Sequence, residues 1–191
     1  LTLTQNDIQR MNDLFPEEWD DEVPSDAFNA YPLVDQGFRQ PVVLPGEGLE
    51  QPTLLMGRVI IPDRITKIGD RAFIRNYNIT EIIFPDALKE IGNNAFSGCY
   101  GIKEINLPDA LKEIGYGAFS VCIGLTEINL PDMLMKIGND AFYRCRGVTE
   151  IRFPATLTVI GEGTFSTCSG LTELVFPDTL TEIGNNAFSG C

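Results

Sequence analysis

Residues 125–147 read LTEINLPDMLMKIGNDAFYRCRG, and residues 102–124 read IKEINLPDALKEIGYGAFSVCIG. The frame they share runs outward in both directions. Units of 23 residues begin at Met56, Ile79, Ile102, Leu125, Val148 and Leu171, and the sixth, LTELVFPDTLTEIGNNAFSGC, stops two residues short at Cys191. A fixed period of this length signals stacked units. No single one can bury its own apolar face, and neighbours supply the missing cover.

Each column of the repeat has a physical reading. The first strand carries apolar residues spaced as in Leu125, Ile128 and Leu130, the last two on one face at period two. Pro at 62, 85, 108, 131, 154 and 177 has no N–H to give a ladder, so it ends each strand and turns the chain. A second short apolar pair follows, such as Leu134 and Ile137, too brief for an amphipathic helix. Gly at 69, 92, 115, 138, 161 and 184 predicts a corner at positive φ. The pairs Ala95-Phe96, Ala118-Phe119, Ala141-Phe142 and Ala187-Phe188, with Thr164-Phe165 as the variant, predict one helical turn whose Phe plugs the core between coils. The expected architecture is a solenoid of short parallel β-strands, turns and one-turn helices, with a rise of about 4.8 Å per coil.

Composition narrows the chemistry. The chain has 191 residues and a net charge of −13, and it contains no histidine. That removes His-dependent nucleophilic triads and His-ligated metal sites. No apolar run approaches the roughly 20 residues of a spanning helix, so no membrane insertion is expected. The acidic field repels phosphate backbones, which excludes nucleic acid as a natural partner. Residues 1–50 hold eleven acids against Arg10 and Arg39, so most of the charge lies ahead of the repeats.

The string L-T-E-I-x-[FL]-P-D-x-L-x-x-I-G-x-x-A-F-x-x-C-x-G resembles the BspA-like class of leucine-rich repeats. Ile79–Gly101, Leu125–Gly147 and Leu171–Cys191 carry it almost completely, and the resemblance spans residues 56–191. It implies a surface or secreted protein of host-associated bacteria that adheres to host or matrix proteins or to other cells. It names no ligand and does not extend to residues 1–55.

Cys99, Cys122, Cys145, Cys168 and Cys191 occupy one column, with Asn76 in the same slot of the first unit. Equivalent side chains in stacked coils point the same way, whereas a disulfide needs facing Cβ vectors. Buried free thiols are therefore expected, and Asn76 fits a buried polar ladder bonded to the backbone of the neighbouring coil. One Cys per coil is a poor zinc cage. Asp63, Asp86, Asp109, Asp132 and Asp178 follow Pro and read as turn chemistry; one per coil is too few oxygens for calcium. No metal, cofactor or catalytic residue is expected.

The strand positions between core residues face solvent. A column of Glu81, Glu104, Glu127, Glu150 and Glu173, headed by Arg58, runs along the sheet. Beside it lies a column that varies from unit to unit: Ile60, Ile83, Asn106, Asn129, Arg152 and Val175. Arg58, the five Glu and the varying positions from Ile83 to Val175 form the candidate partner-binding face. An acidic strip favours a basic host or matrix protein. The alternative is a glycan-binding accessory module of a larger extracellular protein, which would need aromatic platforms. Tyr100, Tyr116 and Tyr143 are the scattered candidates, and Tyr116 and Tyr143 are assigned to packing beside the Phe column.

Residues 1–55 break the frame. Thr4 predicts a cap for a short helix with Ile8, Met11, Leu14 and Phe15 along one side, before the acidic stretch around Trp19. Val42-Val43-Leu44-Pro45 echoes the strand–Pro motif as a decayed repeat. The segment reads as an N-terminal acidic cap on the first coil. The chain begins without Met and stops in phase, so a longer parent protein is expected, with apolar surface at the last coil open to self-association or fraying. The oligomeric state is not set by the sequence.

Overall fold

The computed structural model describes residues 57–191 together with the strand Val42–Val43. The expected N-terminal helix and cap, and Met56 at the start of the first unit, lie outside the described residues. What is described is a parallel β-solenoid whose coils have three sides.

The first side holds β2 (Gly57–Ile60), β4 (Ile79–Ile83), β6 (Glu104–Asn106), β8 (Glu127–Asn129), β10 (Glu150–Arg152) and β12 (Glu173–Val175). They pair parallel in the sections β2-β4, β6-β8 and β10-β12. Ahead of them β1 (Val42–Val43) pairs with β2, Val42 opposite Val59 and Val43 opposite Ile60. The strand–Pro echo thus adds one more rung, at a shorter sequence interval than the repeat. The second side is a continuous six-stranded sheet of two-residue strands. These are β3 (Lys67–Ile68), β5 (Glu90–Ile91), β7 (Glu113–Ile114), β9 (Lys136–Ile137), β11 (Val159–Ile160) and β13 (Glu182–Ile183). Between the two sides the Pro corner closes a tight turn, as where Leu134 N donates to Pro131 O at 3.0 Å.

The third side corrects two expectations. There is no helix among the described residues. The Ala-Phe segments instead adopt turns with φ positive at two positions per coil, for example Asn94 (53°) and Gly98 (76°), or Asp140 (53°) and Arg144 (59°). The alternation aims every second N–H at the next coil. Asn94, Phe96 and Gly98 donate to Tyr116, Ala118 and Ser120 carbonyls at 2.7, 2.7 and 2.8 Å. A helix would have kept those donors within the coil; the neighbour's carbonyls satisfy them and tie the stack as well.

The second correction concerns the corner glycines. Gly92, Gly115 and Gly138 are not at positive φ. They are glycine because the coils touch there. A Cβ on Gly138 would lie 2.8 Å from the Gly115 carbonyl carbon and 2.9 Å from Ile114 O, while Gly138 N donates to that same oxygen at 2.9 Å.

The interior is a set of like-on-like columns. Phe73, Phe96, Phe119, Phe142 and Phe165 are fully buried. Successive rings stack with centroids 4.9, 5.2, 5.4 and 5.4 Å apart and within 5° of parallel. That separation matches the coil rise, so one ring per coil fills the interior continuously. Phe84 and Phe153 meet the stack edge-on, on Phe96 and Phe165. Isoleucine and leucine columns complete the core.

The cysteine column behaves as expected. All five thiols are free, and Cys99, Cys122, Cys145 and Cys168 are buried. Each donates Sγ–H to the Phe carbonyl of the preceding coil, as Cys122 does to Phe96 O at 3.3 Å and Cys145 to Phe119 O at 3.2 Å. Burial pushes the thiols of Cys99 and Cys168 up to about 12 and raises those of Cys122 and Cys145 well above the ordinary range. Asn76 is buried in the same slot, with its amide 3.5 Å from Ile74 O within its own coil.

Candidate interaction surface

The pleat decides which residues the first side presents. Along β8 the pattern is exposed, buried, exposed: Ile128 turns inward, and Glu127 and Asn129 turn out. The same rule brings out Arg58, Glu81, Ile83, Glu104, Asn106, Glu127, Asn129, Glu150, Arg152, Glu173 and Val175, and all eleven are exposed. Register places them in two columns. Arg58 lies opposite Glu81, Glu104 opposite Glu127, and Glu150 opposite Glu173. In the second column Ile60 lies opposite Ile83, Asn106 opposite Asn129, and Arg152 opposite Val175.

Like charges directly opposite each other are destabilising by a few tenths of a kcal/mol, on the order of the cross-strand pair scale. The face offsets this locally. Arg58 Nε meets Glu81 at 3.2 Å. Arg152 Nε meets Glu150 at 2.9 Å, and that hydrogen bond holds the guanidinium still more firmly protonated. Asn129 donates to Asn106 at 2.7 Å, and Asn106 in turn to Glu104 at 2.7 Å. Arg58 and Arg152 therefore partly neutralise the strip on either side of its centre. In the middle, Glu104 accepts from Asn106 and Glu127 faces the solvent, with no cation bridged to either among the described residues. The surface is apolar at Ile83, amide-rich at Asn106 and Asn129, and apolar again at Val175, which is 70% exposed.

The outer face of the second side is polar in a different way. Lys67 bridges Glu90 at 2.8 Å and Lys136 bridges Glu113 at 2.8 Å, so these four charges cancel in pairs. Asp86, Asp109, Asp132 and Asp178 sit exposed at the Pro corner, in keeping with turn chemistry.

Sequence reasoning misplaced one residue. Tyr116 does not pack beside the Phe column; its side chain stands out from the third side, 50% exposed. Tyr143 is half-buried, with the Arg144 guanidinium 5.1 Å above its ring. Tyr100 is half-buried against Tyr77, centroids 4.8 Å apart. The signal for Tyr116 was available. Its column reads Asp70, Asn93, Tyr116, Asn139, Glu162, Asn185, which is polar elsewhere and so faces water.

Three parallel ladders per coil, apolar columns within and a flat strand face without define a solenoid of leucine-rich repeats. The chain belongs to the BspA-type leucine-rich repeat family, whose repeat region matches residues 66–191 in six copies. Its fold is similar to that of a leucine-rich repeat protein from T. pallidum, 28% identical with a TM-score of 0.62 over 67% of this chain and 69% of that one. It is also similar to a leucine-rich cell surface protein from Faecalibacterium prausnitzii, 31% identical with a TM-score of 0.61 over 74% of this chain and 46% of that one. A leucine-rich repeat protein from Eubacterium ventriosum shares the fold at 19% identity, with a TM-score of 0.58 over 71% of this chain and 43% of that one. The chain spans less than half the length of these last two proteins. Comparison with curated proteins finds no match.

Proposed function

We propose that the chain is a non-enzymatic, protein-binding module of a secreted or cell-surface bacterial protein, and that it docks its partner on the first side. The similarity to a cell surface protein of Faecalibacterium prausnitzii supports the location. One observation carries the docking face: parallel pairing holds Glu104 and Glu127 side by side and exposed at the middle of the first side, flanked by the unlike residues Ile83, Asn106, Asn129 and Arg152. Central carboxylates recruit Lys and Arg of a basic host or matrix protein and speed its encounter. The varying column then sets which partner fits, because its side chains change from apolar to amide to cationic along one line.

The test is a binding screen against host extracellular proteins at low and moderate salt. Salt-sensitive binding of a basic protein, lost on Glu104→Lys with Glu127→Lys, is the expected result. Binding that ignores both salt and this double substitution removes the first side as the docking face.

A further inference from the structure

The third side carries, in one coil, a departure from the repeat that docking on the first side does not use. Asp70, Asn93 and Asn139 each lend a side-chain oxygen to the backbone N–H 23 residues on. Asp70 Oδ1 accepts from Asn93 at 2.7 Å, Asn93 Oδ1 from Tyr116 at 2.9 Å, and Asn139 Oδ1 from Glu162 at 3.0 Å. Tyr116 and Glu162 break this chain of acceptors, and the N–H groups of Asn139 and Asn185 have no acceptor among the described residues. A half-exposed ring replaces a polar residue that closed a hydrogen bond.

The ring stands between two recesses. One, of about 560 Å³, is lined by Asp70, Arg71, Asn93 and Asn94. The other, of about 420 Å³, is lined by Asn139, Asp140, Glu162, Ser166 and Asn186, with Gly163 as its floor. Gly163 shares its column with Asn94, Gly117, Asp140 and Asn186, and the Asp140 carboxylate reaches over it into the space its Cβ would take, as the Asn94 amide does over Gly117.

Its polar groups are of both kinds. The amide groups of Asn139 and Asn186 and the N–H of Asn139 are donors; the carboxylates of Asp140 and Glu162 are acceptors. Among the described residues, no hydrogen bond uses either side-chain NH₂ or either carboxylate. Partial burial and the nearby Glu162 raise the Asp140 pKa, as expected of a carboxylate short of water. Two adjacent carboxylates repel an anionic ligand. A lysine ammonium would satisfy them but leave the amide donors idle. Hydroxyl groups both donate and accept, and the C–H face of a sugar ring matches an exposed aromatic face.

We propose that Tyr116 is the platform of a binding site for a neutral saccharide, whose hydroxyls are held in the adjoining recess by Asn139, Asp140 and Asn186. With a recess on either side of the ring, the site takes a short chain of sugars rather than one unit. It is separate from the strand face, and neither proposal depends on the other.

The test uses the full chain, titrated by calorimetry and by saturation-transfer NMR with neutral gluco-, manno-, galacto-, xylo- and N-acetylglucosamine oligosaccharides. Two variants keep the fold, because each installs a residue that the repeat itself uses in that column: Tyr116→Asn, as at 93, 139 and 185, and Asn186→Gly, as at 117 and 163. The expected result is binding of at least one oligosaccharide. Tyr116→Asn should weaken it about tenfold or more, the scale of losing one aromatic contact. Asn186→Gly, which removes an amide donor from the recess, should weaken it as well, with melting temperatures kept and no response to Glu104→Lys with Glu127→Lys. Silence across the panel, binding that survives both variants, or capture of a lysine-rich peptide alone at this site each overturns the proposal.

Discussion

On the first side of each coil a side chain's direction follows from the pleat; on the third side it follows from φ. The strand face therefore accepts Ile, Asn, Arg or Val at one column with no change of backbone. The third side is demanding. Its positive-φ positions hold Gly98, Gly117, Gly163 and Gly190 where the residue is cheap, and Arg71, Val121, Arg144 and Thr167 where it is not. One side varies freely because its constraint is on the backbone pattern alone. The other varies against a conformational cost, so its departures from Gly, Asn or Asp carry more information. Between them lies the core, where identity is enforced because each ring must meet its own copy, and each thiol a Phe carbonyl, one coil away.

The largest expected effect tests that core. Raised folded-state pKa values mean that the thiols stay protonated in the fold after they have ionised in the unfolded chain. Their contribution is complete below the unfolded value near 9.0 and is lost as pH climbs through the folded value, about 12 for Cys99 and Cys168. Each buried thiol should then add a slope of up to about 1.4 kcal/mol per pH unit within that window. Urea unfolding at pH 8, 9 and 10 should show a steep loss of stability. In native protein at pH 8 a maleimide should label Cys191, the exposed thiol, ahead of the other four. Flat stability to pH 10, or equal labelling of all five, would mean that the thiol ladder opens readily.

Next in size is the contact between coils at the glycine corner. Gly138→Ala drives a Cβ to 2.8 Å from a neighbouring backbone carbon, with no side chain able to move aside. Overpacking of this kind costs about 1–3 kcal/mol, and the urea midpoint should fall accordingly. If φ rather than contact set this residue, Asn would be tolerated; Gly138→Asn should be at least as damaging as Ala.

That corner also shows what was and was not legible in the sequence. The stack, the strand–Pro pattern, the buried Phe and Cys columns and the outward Glu column all follow from period and polarity, and the structure has each of them. The glycine column was visible, but its cause was not: a column of Gly looks the same whether it answers to φ or to a neighbour's carbonyl. The third side was misread as helical because Ala-Phe favours helix locally, whereas the N–H groups of Phe96 and Phe119 are claimed by the next coil. Its true signal was Asn94, Gly117, Asp140, Gly163 and Asn186 in one column, the residues that tolerate a left-handed backbone. For the candidate face, exposure and register were legible from the alternation. The pairing of Arg58 with Glu81 and the amide chain from Asn129 to Glu104 were not, because side-chain partners depend on rotamers that no column reports.

The smallest expected effect bears on the cost argued for the third side. Thr167 holds φ at 61° with a β-branched side chain, at the column where Gly98 and Gly190 sit without strain. Its N–H donates to Ser189 O at 2.7 Å, so the backbone bond is kept whatever side chain the position bears. Thr167→Asn should therefore relieve strain without removing a ladder bond, stabilising the chain by about 0.5–1 kcal/mol, below the full penalty for left-handed backbone because Asn reduces it only in part. Thermal melting read beside Ser166→Asn, one residue away and outside the positive-φ columns, separates this from a general benefit of asparagine. A gain at 167 alone means the third side holds its non-glycine residues against a real conformational cost. A gain at neither position means that the ladder to the next coil already fixes φ so firmly that residue type no longer matters there.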